Sequence, residues 1–235
     1  MTITHTAITR RALTRQTLGL GAVAALATQV PLRAYAAASE QQAMLDQARA
    51  TIETARHDPQ FGDSGELLRR ARAVMVVPEL VKGGFFFGGE GGNAVLLSRR
   101  AGGGWGEPAF YVLGSASFGL QIGLEVAQMI LFIQSERALQ AFMRDEFKIG
   151  AEAGLTVLVI GSNAQAATTA NANVDILAWA KAKGAYGGLT LEGTIIKPRD
   201  DWNAAYYGRA VTAQQIVNGN VGRAAGAESL RNSLS

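Results

Sequence analysis

Four acids in the middle of the chain, Glu90, Glu125, Glu152 and Glu192, would matter most for chemistry if a fold brought them together. Paired carboxylates serve as general acid and base, and inward acids in a curved sheet acquire shifted pKa values. Nothing in their spacing assigns them a reaction. His57 is followed by Asp58-Pro59 at the end of a helical pattern, where an imidazolium complements the helix dipole. No Ser-His-Asp signature surrounds it. Gly114-Ser115-Ala116-Ser117 lacks the strand, nucleophile and helix of a nucleophile elbow. The chain has no cysteine, which excludes disulfides, thiolate metal sites, a Cys nucleophile and lipidation at a mature N-terminal Cys. With histidine so scarce and Asp200-Asp201 placed to cap a helix, no metal-ligand constellation is legible. The expectation is a protein that is not an enzyme and needs no cofactor.

The most unusual stretch is Ala73 to Arg100, AVMVVPELVKGGFFFGGEGGNAVLLSRR. Short β-branched and aromatic runs bounded by Pro and Gly read as strands. Gly83, Gly84, Gly88, Gly89, Gly91 and Gly92 lie inside them, and each glycine costs backbone entropy on ordering. Bulges, sharp bends or close approach of another backbone would justify them. A phosphate-binding loop fails on spacing: there is no GxxxxGK[ST], Lys82 precedes the glycines, and Glu90 would repel a phosphate.

The elements that must position these residues follow from periodicity. Glu40 to Arg56 repeats Leu45, Ala48, Ile52 and Ala55 at helical spacing. Asp63 to Glu66 has the D-x-x-E spacing of a helix start, and Arg69, Arg70 and Arg72 close that helix. A hairpin from Val95 to Phe110 carries Gly102-Gly103-Gly104, a triplet that permits positive φ. Ser135 caps a helix to about Arg144, Asp200 or Asp201 caps another through Tyr206-Tyr207, and Thr212 a third. Leu155–Ile160, Val174–Ala182 and Tyr186–Glu192 read as strands, and the tail from about residue 220 is expected to be loose. Pro78, Pro108 and the interrupted strands oppose a regular parallel sheet. The expected fold is α+β: a strongly bent antiparallel β-sheet or partly open β-barrel packed by N- and C-terminal helices, in one domain over residues 37–235.

Several blocks, in order along the chain, carry a family resemblance. RARAVMVVPELVKGGFFFGGEGGNAVLL, WGEPAF (Trp105–Phe110), GSASFGLQIG (Gly114–Gly123), FKIGAEAG (Phe147–Gly154), AKGAYGGLTLEG (Ala182–Gly193) and NAAYYG (Asn203–Gly208) resemble the SYLF-domain family. The match covers about residues 40 to 218. The resemblance implies a binding domain for anionic lipid, because eukaryotic members are associated with phosphoinositides and actin regulation; bacterial members are mostly secreted or envelope proteins. An exported bacterial member would meet phosphatidylglycerol, cardiolipin or a host membrane. Actin is not expected as a partner, since no SH3 docking domain is attached. The candidate lipid-binding residues are Arg69, Arg70, Arg72, Lys82, Lys148, Lys181, Lys183 and Lys197, with the three arginines as the first choice. Trp105 has two placements open, at a lipid interface or capping the open end of the barrel. The alternative function is a structural envelope protein that recognises a protein partner through a sheet edge or the Trp105 hairpin.

The first 36 residues read as a signal peptide. Arg10, Arg11 and Arg15 form a basic start with no acid before Glu40, Thr17–Val30 is apolar but too short to span a bilayer, and Ala34-Tyr35-Ala36 supplies a cleavage site. Thr9-Arg10-Arg11-Ala12-Leu13-Thr14-Arg15 resembles a twin-arginine signal, with Thr14 departing from its usual apolar residue. A Sec signal is the alternative. Either route gives a periplasmic or secreted protein. Removing Arg10, Arg11, Arg15 and Arg33 leaves 18 of the 22 Lys+Arg against 19 Asp+Glu, a net charge of −1. Non-specific nucleic-acid binding loses its basis, and membrane binding requires a local basic patch. Replacing Arg10 and Arg11 by Lys should block export of a reporter fusion; unchanged export would establish the Sec route.

Overall fold

The computed structural model describes residues 40–59, 64–84, 87–118, 123–150, 155–161, 174–183, 191 and 193–235. The leader, the Asp63 cap, Phe85-Phe86, Glu152 and most of the Tyr186–Glu192 strand, Glu192 included, lie outside the described residues. Eight strands form one sheet: β1 Ala73–Gly84, β2 Phe87–Ser98, β3 Ala109–Phe118, β4 Gly123–Ile133, β5 Phe147–Lys148, β6 Val157–Gly161, β7 Ile176–Lys183 and β8 Ile195–Pro198. Their order is β5-β8-β3-β2-β1-β4-β7-β6, curled into an open half-barrel. Seven strands pair antiparallel, as expected; β6 joins β7 in parallel.

Both faces of the sheet carry apolar side chains, which is why β1 begins as the unbroken run Ala73–Val77 rather than alternating. One face presents Met75, Val77, Leu96, Tyr111, Met129 and Leu131. It is closed by helices α3 (Glu136–Phe142) and α5 (Ala213–Val217) through Phe142, Ala213 and Ile216. The other presents Val74, Val76, Leu97, Phe110, Ile130 and Phe132. Helix α1 (residues 40–56) covers part of it with Leu45, Ala48, Ile52 and Ala55, joined by Leu68 of α2 (Ser64–Arg70) and Tyr206 of α4 (Asp200–Tyr207). Each large apolar side chain buried in this way contributes about 1.5–3 kcal/mol.

A bulge at Pro78 divides β1. Val76 pairs with Val95 but Glu79 with Asn93, and Val77 pairs with Met129 but Leu80 with Ala127. Relative to both neighbours β1 gains one residue, at the proline that has no N–H to give a ladder. Side chains alternate with period two, so the extra residue exchanges the faces. Beyond it, Leu80 joins Met75 and Val77, while Glu79 and Val81 take the face of Val76. Gly92 is held to glycine by the same bulge: a Cβ there would lie 2.4 Å from the Glu79 carbonyl oxygen.

Ser135 and Thr212 cap their helices as expected, Ser135 accepting from the Ala138 N–H and Thr212 forming a reciprocal pair with Gln215. Asp200 and Asp201 are not caps. Arg199 holds that position, and both acids lie in the first turn of α4, where Asp201 pairs with Arg199. Gly103 and Gly104 take the positive φ their triplet allowed.

The tail is not loose. A 3-10 turn at Ala225–Ala227 leads into α6 (Glu228–Ser233), and Leu230 and Leu234 are buried against α1 and Trp105. Glu107, fully buried before Pro108, accepts from Arg231 at 2.8 Å and from the Ala224 N–H at 2.9 Å. A composition of small polar residues concealed this anchoring from a reading of the sequence.

Gly92→Ala should lower stability by about 1–3 kcal/mol through overpacking against the bulge. Gly102→Ala, with open space at its Cβ, should change it little. Urea midpoints of the two variants at constant m-value check the contrast.

Candidate functional site

The eight cations singled out in the sequence separate into three groups. Arg69 and Arg70 end α2 and Arg72 precedes β1, so all three lie exposed at the end of the sheet where β1 starts and β2 and β4 finish. Arg137 joins them from α3. Carboxylates accompany most of these charges: Arg70 lies 3.9 Å from Glu66, Arg72 3.4 Å from Glu136, and Arg137 2.6 Å from the buried Asp175. Arg69 has no ion-pair partner among the described residues. Arg99 is anchored at the same end, its guanidinium bonded to the Leu68 and Ala71 carbonyls, so these carboxylates offset part of the positive charge there.

Lys82 stands apart. The bulge turns it onto the Met75 face, in a row across four strands that reads Glu125–Lys82–Glu90–Ser115. Glu90 is buried and accepts from the Ser115 hydroxyl at 3.0 Å and from the Thr194 hydroxyl at 3.4 Å. Glu90 and Glu125 are thus separated by β1 and by a lysine position, not paired. Among the described residues no three His, Cys, Asp or Glu gather to hold a metal ion. His57 is exposed, its Nδ1 2.7 Å from the Glu53 carbonyl oxygen.

The remaining four lysines share the Val76 face. One row across the sheet runs Lys183, Val126, Val81, Gly91, Gly114, Ile195 and Lys148 by register. A neighbouring row runs Glu79, Asn93, Val112, Lys197, and Lys181 lies opposite Gln128 at the far margin. Lysines therefore occupy both margins of an apolar and glycine centre. Val81 and Val112, 37% and 36% exposed, are the exposed large apolar residues among those described. Helix α1 stops short of this half: Thr51 meets Gln128, and Asp58 lies 3.9 Å from Lys181. At the other margin Lys197 pairs with Glu146 at 2.7 Å, while Lys148 is exposed with no ion pair among the described residues. The signal missed in the sequence was the bulge, without which Val81 and Val112 cannot be placed on one face.

Trp105 is not at an outer interface. It is 5% exposed, its Nε1–H donates to the Leu234 carbonyl at 2.9 Å, and the Arg99 guanidinium stacks 4.4 Å from its ring. Sequence reasoning also missed Asp175, which joins three segments. It accepts from the Ser135 hydroxyl, from Arg137 and from the Thr156 N–H. Burial raises its pKa, but those hydrogen bonds and the Arg137 charge outweigh burial and hold the carboxyl below the ordinary range.

Comparison with known proteins identifies the family. The family model described as Ysc84, Las17-binding protein actin regulator, matches residues 114–235. The chain belongs to this family. It is the SYLF family whose sequence blocks it resembles. An SH3 domain-containing protein of Schizosaccharomyces pombe is 29% identical over 159 residues, 66% of this chain and 37% of its own length. LAS seventeen-binding protein 3 of Saccharomyces cerevisiae is 27% identical over the same share of this chain and 34% of its own. SH3 domain-containing YSC84-like protein 1 of Homo sapiens is 24% identical over 178 residues, 75% of this chain and 52% of its own. The chain thus spans about a third to a half of the length of these relatives. The expectation that actin is excluded as a partner is not borne out, because the matching family is itself described as an actin regulator.

Asp175 has a folded pKa below its unfolded value, so its contribution to stability is complete above the unfolded pKa of about 3.9 and is lost as pH falls through the folded pKa. Urea midpoints measured from pH 6 to pH 2 should fall less steeply in Asp175→Asn than in the parent.

Proposed function

We propose that this chain is an exported, non-catalytic binding module that docks on anionic membrane surfaces through the open half of its Val76 face. The observation that supports it is the exposed Val81–Val112 strip with lysines at both margins. Glycines at 91 and 114 keep the centre free of side chains, so a flat surface can approach it. Valines meet the acyl boundary while lysine ammonium groups reach out to phosphates. Each well-placed basic residue contributes about 1 kcal/mol at an anionic surface. The Lys197–Glu146 and Lys181–Asp58 pairs are not obstacles of consequence: exposed pairs are worth at most about 1 kcal/mol and exchange readily for lipid phosphate. Phosphatidylglycerol and cardiolipin are the lipids an exported bacterial domain would meet.

A second reading, a protein partner, is favoured by the name of the Saccharomyces cerevisiae relative, a LAS seventeen-binding protein, and by the description of the family as Las17-binding. The Trp105 hairpin does not serve it, since that side chain is buried; the β6 edge of the sheet does. Actin itself belongs among the partners to try.

Sedimentation with phosphatidylglycerol vesicles separates these readings. The mature protein should bind at low salt, weaken as salt shortens electrostatic reach to about 8 Å, and ignore neutral vesicles. Combined Lys148→Glu, Lys181→Glu and Lys197→Glu should abolish binding, while combined Arg69→Glu, Arg70→Glu and Arg72→Glu should keep most of it. The reverse pattern would move the site to the arginine end. No binding at all, with co-sedimentation on filamentous actin, would establish the protein-partner reading.

A further inference from the structure

Residues 224–235 are attached to the body of the domain in an unusual way. The stretch before them, residues 218–223, is mostly exposed and contains Gly219 in the left-handed region and Gly222. Every described hydrogen bond from the segment to the rest of the domain uses a side chain. Arg231 and the Ala224 N–H bond Glu107, Trp105 Nε1–H donates to Leu234, Gln42 to Gly226, and Arg56 to Ser235. Its backbone-to-backbone bonds, Ala227 to Ala224, Leu234 to Arg231 and Ser235 to Asn232, are all internal. The segment can therefore leave without opening a single rung of the sheet.

The seam beneath it is also imperfectly satisfied. Among the described residues Tyr206 Oη and Arg231 Nε are buried without hydrogen-bond partners, as are both side-chain polar atoms of Gln41, the neighbour of Gln42 in α1. A Cβ on Gly226 would come within 3.2 Å of Tyr206 Oη, so that hydroxyl faces the segment directly. Buried polar atoms without partners weigh against the closed state, because water would satisfy them once the seam opened. Against this stand the buried Ala227, Leu230 and Leu234 and the Arg231–Glu107 pair.

We propose that residues 224–235 form a latch that undocks as one unit while the sheet stays folded, uncovering an apolar seat floored by Trp105. Sub-global opening of this kind is expected where a cooperative unit is held by side chains alone. The unit includes the 3-10 turn and α6, and its release frees α1 at two points, Gln42 and Arg56.

Native-state hydrogen exchange on the full mature chain, followed by NMR, tests this. The amides of residues 230–234 and the Trp105 indole N–H should share one opening constant, at least roughly tenfold above that of the β1 amides. Tyr206→Phe, which removes a hydroxyl without a partner, should lower that shared constant several-fold. Arg231→Gln should raise it, with β1 exchange moved much less. A graded fraying from residue 235 inward, with the Trp105 indole exchanging alongside β1, would overturn the latch. So would a shared constant equal to that of β1, or one that Tyr206→Phe leaves unchanged.

Discussion

One extra residue in β1 decides how the domain presents itself. Pro78 cannot donate to a ladder, so both neighbouring strands shift by one at that point. Before it, the sheet is buried on two faces and reads as continuous apolar sequence. After it, the same strand sends Leu80 and Lys82 to the Met75 face and Glu79 and Val81 to the other. Gly92 follows from this geometry, because the Glu79 carbonyl occupies the space its side chain would need. The place of Val81 in the exposed strip and of Lys82 between Glu125 and Glu90 depends on that single register shift.

At the opposite end of the molecule, side chains do the joining. Glu107 lies under Arg100, Arg231 and the Ala224 N–H, and Asp175 ties the start of α3 to β6 and β7. Both carboxylates are almost fully buried and both are multiply bonded. The pair buried on both sides, Arg231–Glu107, adds little net stability over an apolar contact, yet removing Arg231 costs about 3–5 kcal/mol by stranding a buried charge. The Arg137 partner of Asp175 is largely exposed, and its pair is worth less. The role of both carboxylates is to fix which segments meet. The tertiary environment also raises the Tyr111 and Tyr207 hydroxyl pKa values, by burial first and by nearby acids second, so both hydroxyls stay neutral donors, Tyr111 to the Phe142 carbonyl and Tyr207 to that of Pro108.

The charge distribution explains why composition said little about binding. Without residues 1–36 the net charge is −1, and at that charge the chain has no long-range field to steer it toward a membrane. Its arginines at the α2–β1 junction are accompanied by acids from their own helix and from α3. The four lysine positions of the Val76 face are dispersed along 50 residues of sequence, from Lys148 to Lys197, and meet only across the sheet. The family assignment fits a binding role without specifying the ligand. Relatives in this family carry SH3 domains in their names, and this chain aligns with only part of each.

The sequence by itself determined the class of fold, the long first helix, the caps at Ser135 and Thr212, and the family. These depend on local periodicity, hydrogen bonds three residues apart and ordered motif blocks. It also pointed to bulges as a reason for strand glycines, although not to which glycine or where. The tertiary structure decided the rest. Trp105, open in sequence between a lipid interface and a cap, went inside because Leu234, 129 residues away, accepts its N–H. The tail was ordered by Glu107, which no local pattern links to Arg231. Lys148, Lys181, Lys183 and Lys197 came to one face through pairings between strands far apart in sequence. Period-two alternation is blind to such pairings, and one unseen bulge inverts it.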